Sequence, residues 1–143
     1  MKLNSSTGSF ELSINGYTAQ TTNWRERNSL SCNISTMWRQ QRDTQAAPMH
    51  TWEVRRLVDV MKSLWSKATN RASMSFASPG LAVDGVALPN DQYRLHIQFS
   101  QSITPAWHPY PDFPLEMDML LSHKQLQEAI QELSTQLATY PER

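Results

Sequence analysis

Glu116 and Asp118 are the nearest thing to a catalytic pair in this chain. Two positions apart on a strand they share one face, and two like charges side by side raise the pKa of one, which acid–base chemistry requires. The same alternation supports a plainer reading. Leu115, Met117, Met119 and Leu121 would line the buried face, leaving the two carboxylates in solvent. The other reactive residue types are scattered. His50, His96, His108 and His123 do not stand at metal-ligand spacing from one another or from Cys32. Cys32 alternates with Leu30 and Ile34, which marks it as a small core hydrophobe rather than a nucleophile. The four glycines, Gly8, Gly16, Gly80 and Gly85, form neither a phosphate-cradling loop nor a nucleophile elbow. These residues predict a binding protein rather than an enzyme, with no catalytic residue, metal or cofactor.

Two segments carry the residue types that hold partners. Trp38-Arg39-Gln40-Gln41-Arg42-Asp43 sets an aromatic ring beside two guanidinium groups, and Trp and Arg dominate the energetics of protein interfaces. Ala106-Trp107-His108-Pro109-Tyr110-Pro111-Asp112 presents large aromatics between prolines, which lower the entropy lost when a loop is immobilised by a partner. The candidate contact residues are therefore Trp38, Arg39, Arg42, Asp43, Trp107, His108, Tyr110 and Asp112. Each segment has a structural alternative: a strand end and turn for the first, and Trp107 and Tyr110 folding back over the core for the second.

The elements that must position these segments are legible from hydrophobic period. Phe10, Leu12 and Ile14 alternate with polar residues and predict a strand ending near Gly16; Leu30, Cys32 and Ile34 predict a second that runs on to Trp38. The polar residues 18–28 predict a loop holding Trp24, and Arg39 to Gln45 a hairpin turn or loop, followed by a short strand around Ala47 to His50. Thr51 suits a helix N-cap, and Val54, Leu57, Val58, Met61, Leu64 and Trp65 repeat at helical spacing behind it. A strand then lies around Met74 and Phe76, with a turn at Ser78-Pro79-Gly80. Leu81 and Val83 lead into a two-residue hairpin expected at Asp84-Gly85, Val86 and Leu88 return from it, and Pro89-Asn90-Asp91 turns the chain again. Tyr93, Leu95, Ile97 and Phe99 make the clearest strand. Four of the eight prolines fall within residues 100–114, an irregular loop. Leu115 to Leu121 is the last strand. Ser122 with Gln125 three residues on reads as a capping box, opening a helix whose apolar stripe is Leu126, Ala129, Ile130, Leu133 and Leu137. The fold class expected is α+β: antiparallel sheet or sheets packed by two amphipathic helices, in the order strands, helix, strands, helix.

A chain of 143 residues is the length of one domain, here 1–143, and 39% hydrophobic against 18% charged residues excludes a disordered chain. No run of apolar residues is long enough for a membrane span, no signal segment opens the chain, and one cysteine suits a reducing compartment, so the cytoplasm is expected. Net charge is zero but uneven: residues 1–75 hold ten Lys/Arg against five Asp/Glu, and residues 76–143 three against eight. The halves either cancel across the fold or leave a polarised surface. Overall neutrality argues against a dedicated nucleic-acid binder. A single-stranded nucleic-acid module using Trp24, Trp38 and Arg42 is the alternative to a protein-binding role, alongside other non-enzymatic adaptors.

The chain resembles the WapI-type immunity proteins, with which bacteria neutralise toxins delivered by neighbouring cells. The matching points run in one order along nearly the whole sequence: Phe10-Glu11-Leu12 to Gly16-Tyr17, His50-Thr51-Trp52-Glu53-Val54 with Arg56-Leu57, and Ser75 to Leu81. They continue through Tyr93-Arg94-Leu95, Pro105-Ala106-Trp107, and Leu126 to Leu137 with Tyr140-Pro141-Glu142-Arg143. The resemblance implies one-to-one binding of a cognate protein toxin, of nuclease type, in the producer's cytosol, without a cofactor. It carries over no contact residue.

Overall fold

The alternating segments form two antiparallel sheets, and the helically spaced ones pack on them. The computed structural model describes residues 1–6, 8–18, 21–77, 80–110 and 112–143. In the first sheet β1 (Lys2–Asn4), β2 (Gly8–Tyr17), β3 (Ser29–Trp38) and β4 (Gln41–Ala46) lie side by side in that order, and β5 (Met49–His50) pairs with the start of β3. The second sheet has the order β6 (Arg71–Ser75), β7 (Leu81–Leu88), β8 (Gln92–Phe99), β9 (Leu115–Ser122). Three helices accompany them: α1 (Trp24–Arg27), α2 (Thr51–Trp65) and α3 (His123–Thr139).

The inward faces of both sheets and the apolar stripes of α2 and α3 share one core. Phe10 of β2 and Phe99 of β8 meet across it with ring centroids 5.7 Å apart, so the best strand of each half supplies the contact between sheets. Leu12, Ile34, Leu57, Met61, Leu64, Leu126 and Leu133 are buried around them, and Cys32 is buried as its alternation predicts. At the other end of the core Tyr93 shares its hydroxyl with His123 Nδ1 at 3.0 Å, while the Trp65 indole donates to the His123 carbonyl at 3.1 Å. These bonds tie the C-terminus of α2 to the N-terminus of α3. Ser122 and Gln125 close the expected capping box.

The structure corrects four local expectations. Residues 18–28 are not all loop: α1 forms there because Asn23 Oδ1 accepts from Arg25 N at 3.0 Å and Glu26 N at 3.3 Å, so a short helix interrupts the first block of strands. Arg39 and Gln40 alone make the hairpin turn, and residues 41–46 are strand β4; the strand expected at 47–50 shrinks to Met49–His50. Helix α2 is capped by His50, not by Thr51, which is the first helical residue and is buried against Asn28. Asp84-Gly85 is no hairpin. The chain runs straight through it in β7 and turns only at Pro89-Asn90-Asp91, where the second turn is expected, with Asn90 and Asp91 both at positive φ. Gly85 is instead a place of close approach: a Cβ there would strike Leu64 Cδ1 of α2 and lie 3.0 Å from Leu95 Cδ2. Of the turn expected at Ser78-Pro79-Gly80, Ser78 and Pro79 lie outside the described residues.

Candidate partner-binding surface

The β3–β4 hairpin turns on two residues, Arg39 (φ 48°) and Gln40 (φ 70°), the left-handed pair that a two-residue hairpin demands. Trp38, just before them, pairs with Gly8, where a Cβ would lie 3.0 Å from Trp38 Cε3. The glycine thus leaves room for the indole, which is half-buried against the core. Arg39 and Arg42 stand exposed at the tip, Arg42 reaching back only as far as Met37 Sδ at 3.9 Å.

The proline-rich loop is fastened beside this hairpin. After a 3₁₀ turn, Gln101–Ile103, the buried Ile103 and Pro105 anchor its first arm. Asp43 of β4 then accepts a hydrogen bond from Ala106 N at 2.7 Å, joining the two segments that the sequence singles out separately. Within the loop His108 N donates to Pro105 O at 3.0 Å, His108 Nε2 donates to Phe113 O at 2.9 Å, and Phe113 N donates to Tyr110 O at 3.0 Å. This self-bonded frame holds Tyr110 and Phe113 outward, 67% and 69% exposed. Two large aromatics on a braced loop are costly in water and suited to anchoring a partner.

The eight predicted residues therefore separate by role. Arg39, Arg42, Tyr110 and Asp112 are exposed. Trp38, Asp43, Trp107 and His108 are partly buried and build the frame. Asp43 is a fastening rather than a free contact, and the Trp107 Nε1 and His108 Nδ1 atoms are shielded without a hydrogen-bond partner among the described residues. Phe113 is not among the eight candidates, though it follows Pro111-Asp112 directly in the same proline-rich segment.

A second aromatic feature was not legible at all. Trp52 of α2 lies between Trp24 of α1 (centroids 4.9 Å, planes 7° apart) and His50 (4.3 Å, 9°), a continuous three-ring stack. Two buried polar residues support it. Glu53 Oε1 accepts from His50 N and His50 Nδ1, both at 3.0 Å, and its Oε2 accepts from Ala77 N at 3.0 Å, so one carboxylate ties the end of β5 to the segment just beyond β6. Asn28 donates to Trp24 O and Arg143 O at 2.8 Å and accepts from Arg143 N at 2.7 Å, holding the end of the chain against α1. Trp24 belongs to this stack, whereas Trp38 sits at the far end of a ten-residue strand, about 30 Å at the usual rise. The nucleic-acid alternative loses its shared platform.

Part of the charge asymmetry between the two halves is cancelled within the fold. Arg55–Glu142 (3.2 Å), Lys67–Asp91 (2.6 Å) and Arg71–Asp84 (2.7 Å) each join the basic half to the acidic half. Glu116 and Asp118 do share the solvent face of β9, but His96 of the neighbouring strand stands between them, its Nδ1 2.8 Å from Asp118 and its Nε2 3.4 Å from Glu116. The hydrogen bond to Asp118 raises the His96 pKa above its ordinary value, opposed by partial burial and helped by Glu116. Burial pushes the Cys32 thiol up to about 12, far from a reactive thiolate. Among the described residues no cluster of His, Cys, Asp and Glu has the makings of a metal site.

The model of the WapI-like immunity protein family matches residues 2–141, nearly the full length. The chain belongs to the WapI-like immunity protein family. No curated protein and no solved structure matches it. For this WapI-like protein the resemblance motif His50-Thr51-Trp52-Glu53-Val54 has a structural explanation: His50 and Glu53 cap α2, Thr51 is bonded to Asn28, Trp52 fills the ring stack and Val54 enters the core. The Tyr140–Arg143 ending has one too. Tyr140 donates to Asn15 O at 3.1 Å, and the Arg143 guanidinium lies 3.7 Å over the Tyr17 ring. No helix among the described residues is long and apolar enough to cross a membrane.

Proposed function

We propose that this chain is a cytoplasmic immunity protein that binds a cognate toxin one to one and blocks its active or target-binding surface, without a cofactor. The observation that carries this reading is the family match across residues 2–141. Exposed Tyr110, Phe113 and Asp112 on the loop, with exposed Arg39 and Arg42 on the hairpin that Asp43 fastens to it, supply the contact chemistry of aromatic anchors and charged groups. Their frame is bonded before any partner arrives, so little ordering entropy opposes docking. A nuclease-type toxin delivered between cells is the partner class proposed. The reading predicts a toxin gene immediately upstream, and the test is to express that toxin with and without this chain. A stable one-to-one complex and restored growth of toxin-expressing cells are expected. Unrelieved toxicity with no complex, at matched expression of folded protein, would remove the proposal.

A further inference from the structure

The solvent face of the second sheet contains a hollow with a cause in the sequence. Along cross-strand rows Ser75 pairs with Ala82 and Ala82 with Gln98, while Ser73 pairs with Asp84 and Asp84 with His96. Three small side chains, Ser73, Ser75 and Ala82, thus form a floor between longer neighbours. Arg56 of α2, Arg71 and Gln98 stand around it, and the result is a cavity of about 490 Å³.

The lining is rich in unused donors. Arg56, Ser73, Ser75 and Gln98 make no side-chain hydrogen bond or ion pair among the described residues. Arg71 is held by Asp84 through Nε (3.2 Å) and Nη2 (2.7 Å), which fixes its guanidinium and leaves Nη1 unpaired among the described residues. The acidic groups nearby are already engaged: Asp84, in the lining, by that fork, and Asp118 and Glu116 on β9 by His96, which also lines the cavity. A second guanidinium, two hydroxyls and a carboxamide without a protein partner among the described residues are chemistry for an anion with several acceptor oxygens.

We propose that this cavity is a binding site for a small oxyanion, a carboxylate or a phosphoryl group, received by Arg56 and Arg71 with Ser73, Ser75 and Gln98. The proposal does not depend on the toxin-binding reading. The site is open to solvent, so screening makes it weak and salt-sensitive.

The full chain, labelled with nitrogen-15, is titrated with sodium phosphate and separately with sodium acetate, at low ionic strength with sodium chloride as the matched control. Saturable shifts are expected at the Ser73, Ser75 and Ala82 amides and the Gln98 carboxamide. Arg56→Gln should weaken the midpoint about tenfold, as expected for losing one charge-assisted bond. Arg56 is exposed and has no bonded partner among the described residues, so this variant should keep the wild-type spectrum elsewhere. Arg25→Gln, on α1, should bind like wild type. Tighter binding of phosphate assigns the site to phosphoryl groups, and tighter binding of acetate to carboxylate side chains. Shifts no different from those with chloride, or Arg56→Gln binding as well as wild type, would overturn the proposal.

Discussion

Replacing Glu53 by Ala should be among the most damaging single changes outside the apolar core. The side chain is buried and accepts three hydrogen bonds at 3.0 Å, from His50 N, His50 Nδ1 and Ala77 N. Losing the helix-cap interaction costs about 1 kcal/mol. Losing a charge-assisted bond to Ala77, with its donor left partly buried, costs roughly 1.5 kcal/mol. A carboxylate in the first turn of α2 adds about 0.5 kcal/mol through the helix dipole. Together these make about 3 kcal/mol, which for a chain of this size lowers Tm by about 9 °C. Glu53→Gln keeps the shape and one acceptor oxygen but turns an NH₂ toward a backbone donor, so roughly half the loss is expected. Urea denaturation followed by tryptophan fluorescence, with matched thermal melts, measures both variants. Hydrogen exchange at Ala77 N should also accelerate. A loss below about 1 kcal/mol for Glu53→Ala, or wild-type stability in Glu53→Gln, would refute the claim that this carboxylate ties His50 to Ala77.

Gly85→Ala should cost about 1–3 kcal/mol in the same denaturation assay, because the added carbon must displace buried Leu64; unchanged stability would mean that α2 does not sit so close to β7. For His96 the folded pKa lies above the ordinary value, so its bond to Asp118 stabilises the fold at pH below about 6.5, and that contribution fades as pH rises through the folded pKa. The pair is partly exposed, so the effect should stay below about 1 kcal/mol, and His96→Gln should remove that part of the pH dependence in melts between about pH 5 and 8. Tyr110→Ala with Phe113→Ala should leave stability within about 0.5 kcal/mol while weakening toxin binding by about 2 kcal/mol or more, read by calorimetry and dissociation rates. Asp43→Ala should instead loosen residues 104–114, seen as faster hydrogen exchange at Ala106 N.

Period alone carried much of the architecture. Tyr93 to Phe99, Leu115 to Leu121 and Val54 to Trp65 are strands and helix where their spacing says, because every second or every third-to-fourth residue must be apolar for one face to be buried. The sequence also contained the facing of Cys32 and the shared face of Glu116 and Asp118. Asp84-Gly85 misled for a definite reason: its local turn preference is overruled by the packing of Leu64, which only the placement of α2 on β7 reveals.

By itself the sequence determined the element types, the Ser122 cap and the two segments rich in interface residues, since these depend on neighbours within a few positions. Tertiary structure decided which residues meet across long separations. It set Asp43 against Ala106, His96 between Glu116 and Asp118, Trp24 on Trp52, and Glu53 between His50 and Ala77. Such contacts come from the register of the strands and the seating of α2 against both sheets. No local period encodes them, because they bring together groups up to 63 residues apart.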